Sequence, residues 1–365
     1  VTTPRVSLHM MVRDGASVVG RALRSVQGLV DEVCVVDTGS VDGTVDVVME
    51  VCSEVGISSC QSVVLSPALR PDLFFPDESS SWDRSVPGPF TGTPLLRDWA
   101  AARNAGLELC SGEYVLKLDA DDVLVHPEQV HKALEYLDEC RDVDIVVTPY
   151  EVMRRSVPGV VKVQGCDVEY VTSATRLWRR GDHCTFRGVC HENVDRGRRG
   201  ENWIVINDFY ARDMRDAETL RVPHRNYKVL LREHDRPTRK VDDQFLLYLA
   251  SEAAGVAPAF ALEVLGSLGT LGHPTDESWR LGLCGDCLAS LGLADFSSWA
   301  YEQAALRGNA RAALRLAAEH ARAGRRGWRG PLVEAIKRTK HLPYPVGAST
   351  AEVREAEEML RRETP

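Results

Sequence analysis

The sequence predicts an α/β domain on a mostly parallel central sheet, followed by an all-α domain of helical hairpins, and three observations carry that expectation. Over the first ~150 residues short apolar runs alternate with amphipathic segments, the pattern of a parallel sheet covered by helices. From residue 146 to 210 the signals turn to short strands broken by Gly, Pro and charged turns. Beyond Asp213 the apolar spacing becomes helical, with Ala and Leu at close-packing positions between Gly, Pro or Asp breaks. The expected boundaries are 1–210 for the first domain and 211–365 for the second.

The elements follow in order. "RVSLHMMV" reads as a buried strand, and the segment Ala16 to Leu29 as a helix with Val18, Val19, Ala22, Leu23 and Val26 on one face. "DEVCVVDTG" is a second strand, "TVDVVMEVCSEVG" a second helix and "QSVVLS" a third strand. Residues 66–96 are rich in Pro, Gly and Ser, with Phe74, Phe75 and Trp82 lacking periodic partners, which predicts a long loop with exposed aromatics, able to act as a lid. "RDWAAARNAGLELC" is a helix leading to a strand that ends at Asp119. "DIVVTPYEV", "VVKVQ", "TRLWRR" and "WIVIND" are the later strands. Six helical segments then run from "HRNYKVLLREHDR" to "ARAALRLAAEHARAG", an array that resembles tetratricopeptide repeats of degenerate period.

Composition bounds the function. With 365 residues, 44% hydrophobic and 27% charged, the chain can bury two cores. It has no long apolar span, and its opening "VTTPR" leads straight into a strand-like run, so a cytoplasmic location is expected. Ten cysteines show no framework pattern, and Cys34 and Cys110 fall within apolar segments, as reduced thiols do. Cys284 and Cys287 have zinc-knuckle spacing, but no second such pair is near and His273 is the nearest imidazole. The net charge of −9 is uneven: residues 1–210 hold 21 Lys and Arg against 32 Asp and Glu. An acidic N-terminal part argues against a charge-driven nucleic-acid partner. The basic stretch "RAGRRGWRG" (322–330) reads as a solvated helix end.

The chemistry lies in "LKLDADDVL" (116–124) and "VVDTGSVDGT" (35–44). Carboxylates crowded behind a buried strand either raise one another's pKa or hold a hard divalent cation such as Mg²⁺ or Mn²⁺. The other reading of the cluster is a solvated strand-to-helix turn. Asp37 stands at the C-terminal end of its strand, where ligands bind in open parallel sheets, and Asp119 belongs to the same edge. Asp37 is also placed to cap the following helix.

The order "MMVRDGA", "VVDTGSVDGT", "AAARNAGLELC" and "LKLDADDVL" resembles family 2 glycosyltransferases of the GT-A nucleotide-diphospho-sugar transferase fold, over residues 5 to about 210. That resemblance implies transfer of a sugar from a nucleotide donor, a UDP-sugar by default, with Mn²⁺ or Mg²⁺ as cofactor. It also implies roles: Asp37 on the nucleobase, Arg103 on donor phosphate or base, Asp119 toward the ribose or sugar and Asp121 on the metal, with Val12, Arg13 and Ala120 beside them in the donor site. Where the family carries an N-E pair after the first strand, this chain has Asp14 and Gly15. "FRGVCHENVD" (186–195) resembles the family's H-E motif, which makes Glu192 the candidate base and His191 a candidate metal or diphosphate contact. Arg176, expected at a strand edge, is a further phosphate candidate. Asp195, set among arginines, is the weaker choice of base, since an ion pair would lower its basicity.

The function expected is therefore an inverting, metal-dependent glycosyltransferase acting on an unknown small-molecule, peptide or glycan acceptor, with a possible homodimer through the helical domain. Two rival readings are a sugar nucleotidyltransferase, which normally carries a Gly-rich activation loop that "MVRDGASVV" lacks, and a helical-repeat interaction protein with a degenerate transferase domain.

Overall fold

The computed structural model describes residues 5–75, 96–153, 168–181, 184–194, 203–214, 225–236, 242–269, 271, 274–324, 327–339 and 350–362. The chain divides into two compact units, the first reaching Leu220 apart from two short pieces and the second running from Arg221 onward.

The first unit is built on a sheet in the order β3-β2-β1-β4-β7-β6-β11-β5, with β10 also paired to β6. β1 (Val6–Val12), β2 (Glu32–Asp37), β3 (Ser59–Val64) and β4 (Tyr114–Lys117) run parallel to one another. β7 (Val168–Arg179) is antiparallel to β4, and β5 (Asp122–Val125) is antiparallel to β11 (Tyr210–Asp213). β6 (Ile145–Met153) pairs in parallel with β10 (Trp203–Val205) and β11. The sheet is thus mixed but mostly parallel, as the sequence predicts. Every residue of β2 is buried, as are all but one of β1, because parallel strands are covered on both faces.

Helices α1 (Val19–Arg24), α2 (Thr44–Glu54) and α4 (Val130–Glu139) share one core with Leu8, Met10, Val33, Val35 and Leu116. α3 (Trp99–Leu107) lies near Val36, and its Asp98 cap accepts from the Ala101 amide at 2.9 Å. α1 is shorter than the expected Ala16–Leu29 helix. The Ser25 hydroxyl donates to the Ala22 carbonyl at 2.6 Å, and Gly28 takes a left-handed φ of 72°, so the chain leaves the helix in successive turns.

Two further readings change. "LDADDVL" is not a strand-to-helix turn: Asp122 opens β5, and its amide closes a turn on the Asp119 carbonyl at 3.0 Å. Phe74 and Phe75 are buried, and Phe74 forms a β-bridge to Leu96. Trp82 and the body of the expected lid, residues 76–95, lie outside the described residues, as does "VVKVQ".

The second unit holds eight described helices: α5 (Arg225–His234), α6 (Asp243–Ala253), α7 (Pro258–Ser267), α8 (Pro274–Ser290), α9 (Ala294–Leu306), α10 (Ala310–Arg322), α11 (Arg329–Thr339) and α12 (Thr350–Arg362). The last two extend the array beyond the six helices expected. Asn309 shows how the hairpins lock: its Oδ1 caps α10 at the Ala312 amide, 2.9 Å, while its Nδ2 donates to the Ser278 carbonyl of α8, 3.0 Å. Cys284 and Cys287 lie on α8 as free thiols, with Cys287 fully buried. Among the described residues no helix is long and apolar enough to cross a membrane.

Candidate functional site

The site forms at the C-terminal edge of β1, β2 and β4. Register pairs Val12 with Asp37 and His9 with Lys117, so the residues after β2 and β4 emerge on one edge, one strand apart. The loops after β1 and β2 are stitched together there. Asp14, in a left-handed conformation, accepts from the Val41 amide at 2.9 Å, and its own amide donates to Ser40 Oγ at 2.8 Å. Gly15 donates to Thr44 Oγ1 at 2.9 Å, and a Cβ at Gly15 would fall 2.6 Å from Val12 Cγ2 and 3.8 Å from the Ala120 Cβ. The Asp14-Gly15 sequence therefore lets the loop after β1 approach the acidic turn closely. Asp37 is buried; its Oδ1 accepts from the Gly39 amide, the Ser40 amide and Ser40 Oγ, at 3.1, 2.9 and 2.7 Å. Those bonds hold the carboxylate in one orientation as an Asx turn.

Arg103 joins three of the motifs. It projects from α3, is only 3% exposed, donates from Nη2 to Asp119 Oδ1 at 2.7 Å and from Nε to Glu192 Oε1, and has its guanidinium 5.6 Å from the Phe186 ring centre. Asn104, the next residue, clamps the strand that leads to Glu192: its Oδ1 accepts from the Phe186 amide at 2.7 Å and its Nδ2 donates to the Phe186 carbonyl at 3.0 Å. Phe186 and Arg187 form β8, paired with β9 (Asn193–Val194), and His191 and Glu192 sit in the connecting loop. His191 has a left-handed φ of 56°, and the Val189 carbonyl of the same loop accepts from the Trp99 amide at 3.0 Å. One helix thus holds the H-E loop by backbone, amide and guanidinium together.

The electrostatics favour a charged cluster. Burial alone would raise the Asp119 pKa, but Lys117, Arg103 and Arg176 outweigh it and hold the carboxyl well below the usual carboxylate range. Arg103 loses by burial and gains more from Asp119 and Glu192, so it stays charged. Behind it, His9 is fully buried with Nε2 2.9 Å from the Arg103 carbonyl, and burial, reinforced by the Arg103 charge, lowers its pKa to about 3. The neutral imidazole donates its proton to that carbonyl.

Asp122 belongs to a second, fully buried group. Its Oδ1 accepts from the Tyr150 hydroxyl at 3.0 Å, and its Oδ2 lies 3.3 Å from Arg176 Nη2. Burial, with Asp119 and Asp121 adding to it against Arg176, pushes the Asp122 carboxyl up to about 7. Arg176 is 1% exposed, stacks 4.6 Å from the Tyr150 ring centre and donates to the Lys117 carbonyl at 3.5 Å. The expectation of a strand-edge arginine is corrected: Arg176 supports the acidic turn from behind.

Among the expected residues, the structure brings Arg103, Asp119 and Glu192 into direct contact and sets Val12, Asp37 and Ala120 on the adjoining edge. Arg13 is half-buried, 3.7 Å from Asp14 Oδ2. Asp121 and His191 are half-buried on different loops, and among the described residues no three His, Cys, Asp or Glu gather closely enough to hold a metal ion unaided. Mg²⁺ and Mn²⁺ need no such cage when substrate phosphates complete the shell, and the carboxylate of Asp121 is a donor of the right hardness. Asp195 lies outside the described residues. Sequence reasoning missed His9, Asn104, Lys117, Asp122 and Tyr150; for Asn104 the A-R-N motif itself was the signal.

Comparison with known proteins agrees with the motifs. Residues 96–192 match the family model "Glycosyl transferase family 2". A TPR repeat-containing protein of Synechococcus elongatus is 29% identical over 196 residues, which is 52% of this chain and 36% of that protein. The chain therefore spans about a third of that curated relative, 36%. Among solved structures, S. aureus TarS in complex with UDP-GlcNAc is similar with a TM-score of 0.36 and 15% identity, over 98% of this chain and 92% of that one. Glucosyl-3-phosphoglycerate synthase from Mycobacterium tuberculosis, in complex with Mg²⁺ and UDP, has a TM-score of 0.27 and 21% identity over 40% and 44% of the two chains.

Proposed function

We propose that the N-terminal unit is the catalytic domain of an inverting glycosyltransferase that moves a sugar from a nucleotide-diphosphate donor, a UDP-sugar, to an acceptor hydroxyl. The observation that carries this reading is the Asp119–Arg103–Glu192 contact, which unites the D-x-D, A-R-N and H-E motifs in a stretch matching family 2. Asp37 receives the base, Asp119 the ribose or sugar, and Val12, Arg13 and Ala120 line the donor site. Arg103 serves that site by orienting Asp119. Glu192 takes the proton of the acceptor hydroxyl as its oxygen attacks the anomeric carbon, while the bond to the departing diphosphate breaks. Arg103 bonds Glu192 Oε1 only, so Oε2 is the atom that receives the proton. The ion pair fixes the carboxylate in one orientation. Asp121, with His191, would hold Mn²⁺ or Mg²⁺, which when bound offsets charge on the leaving group.

The helical domain is assigned to contacts between copies of the chain. Phe296, Trp299 and Leu306, spaced along one face of α9, are 64%, 59% and 74% exposed, which supports that assignment. A cytoplasmic site of action is part of the same reading.

The test is a panel of UDP-sugars incubated with the protein, with Mn²⁺ or with EDTA, following release of UDP. Release from one sugar, dependent on the ion, is expected. No release from any nucleotide sugar across the panel would remove the reading.

A further inference from the structure

Lys117 ends β4, and its side chain points to the same side of the strand as Asp119, since the intervening Leu118 is buried in the opposite core. Its ammonium lies 5.9 Å from the Phe186 ring centre, the ring that also carries Arg103 at 5.6 Å. Lys117 is half-buried, yet among the described residues its Nζ makes no hydrogen bond or ion pair. Burial, then the Arg103 charge, lowers its pKa. An ammonium beside a like charge, with no close anion of its own, is suited to receive one from a ligand.

Asp119 and Glu192 favour the charged ammonium from a distance, without an ion pair to it. Asp119 and Glu192 are both taken by Arg103, and the three together carry a formal charge of −1. A ligand rich in phosphate would meet repulsion there. Lys117 brings the cluster to neutrality and offers three N–H donors. Its strand position places it next to the acidic turn that the donor must approach.

We infer that Lys117 is a donor-site residue whose ammonium binds the diphosphate of the nucleotide donor and carries part of the charge left on it when the sugar departs. This inference rests on the proposed sugar transfer and adds a cation from the protein to that site. Lys117 stands two residues before the D-x-D pair, and the family resemblance gives it no role.

The experiment is calorimetric titration of the full chain with inorganic pyrophosphate, UDP and uridine, in EDTA so that only protein cations contribute. The proteins compared are wild type, Lys117→Met and Lys117→Arg. Methionine keeps the length of the side chain and its contact with the Phe186 ring. Lys117→Met is expected to weaken pyrophosphate and UDP about tenfold or more, as loss of a charge-assisted contact does. Uridine should bind as in wild type, and Lys117→Arg should recover most of the affinity. Unchanged pyrophosphate and UDP affinity in Lys117→Met overturns the inference, as does an equal loss for uridine. Wild type that binds neither pyrophosphate nor UDP also overturns it. If the anion contact is found but no sugar is transferred, the inference about Lys117 stands and the transferase reading falls. If donor turnover is intact in Lys117→Met, the reverse holds.

Discussion

Arg103 is the residue around which the site is ordered, and its position depends on groups no motif contains. His9 holds the Arg103 carbonyl from below, and it can do so only as a neutral ring. Its pKa in the fold, about 3, lies below the 6.5 of the unfolded chain, so the unfolded state binds the proton first as pH falls. Stability from His9 is complete above pH 6.5 and is lost as pH falls toward 3, a change on the order of a few kcal/mol. His9→Gln, whose amide can still donate to the carbonyl, should flatten that part of the curve. Urea unfolding of both proteins across the window checks it, and identical acid slopes would contradict the assignment. Asp37, Arg103, Asp119 and Glu192 were legible because each falls in a short motif. His9, Lys117 and Tyr150 were not, because a buried polar residue looks like any other until its partner is known: His9 meets Arg103 94 positions away, and Tyr150 meets Asp122 28 away.

At the scale of elements, the site depends on how closely α3 approaches the sheet. Gly106 makes that approach possible: a Cβ there would collide with Val36 Cγ2 and stand 2.8 Å from His9 Nε2. Gly106→Ala must lift the helix, at a cost of about 1–3 kcal/mol for overpacking. Arg103, one turn earlier, moves with it. A lowered melting temperature together with reduced donor turnover is expected; unchanged turnover would show that the site tolerates the shift. The strands β1, β2 and β4 and the helix α3 were plain in the periodicity of the sequence. The pairing of β5 with β11 was not, since Asp122 meets Asp213 across a stretch of chain in which local pattern says nothing about register. Burial of Phe74 was missed for the same reason: it packs with Leu96 and Ala102, toward the far end of the Pro-rich stretch.

At the scale of the whole molecule, the first unit supplies a mostly parallel sheet with Asp37, Arg103 and Asp119 at one edge, and the second an array of helices packed on apolar cores. The alternation of strands and helices followed by helices alone was readable in the sequence, because periodicity reports which faces are buried. The acceptor was not, because none of the motifs has a residue type or spacing that names its chemistry. The claim that joins the scales is that the Asp119–Arg103–Glu192 edge transfers sugar, with Glu192 as the base. The most direct measurement is kcat for Glu192→Gln on the UDP-sugar selected by the panel, with donor affinity followed by calorimetry. The account predicts a loss of roughly 10²–10⁴-fold in kcat with donor affinity kept, the usual contribution of a positioned base. Near-normal kcat, with the collapse appearing in Asp195→Asn instead, would contradict it.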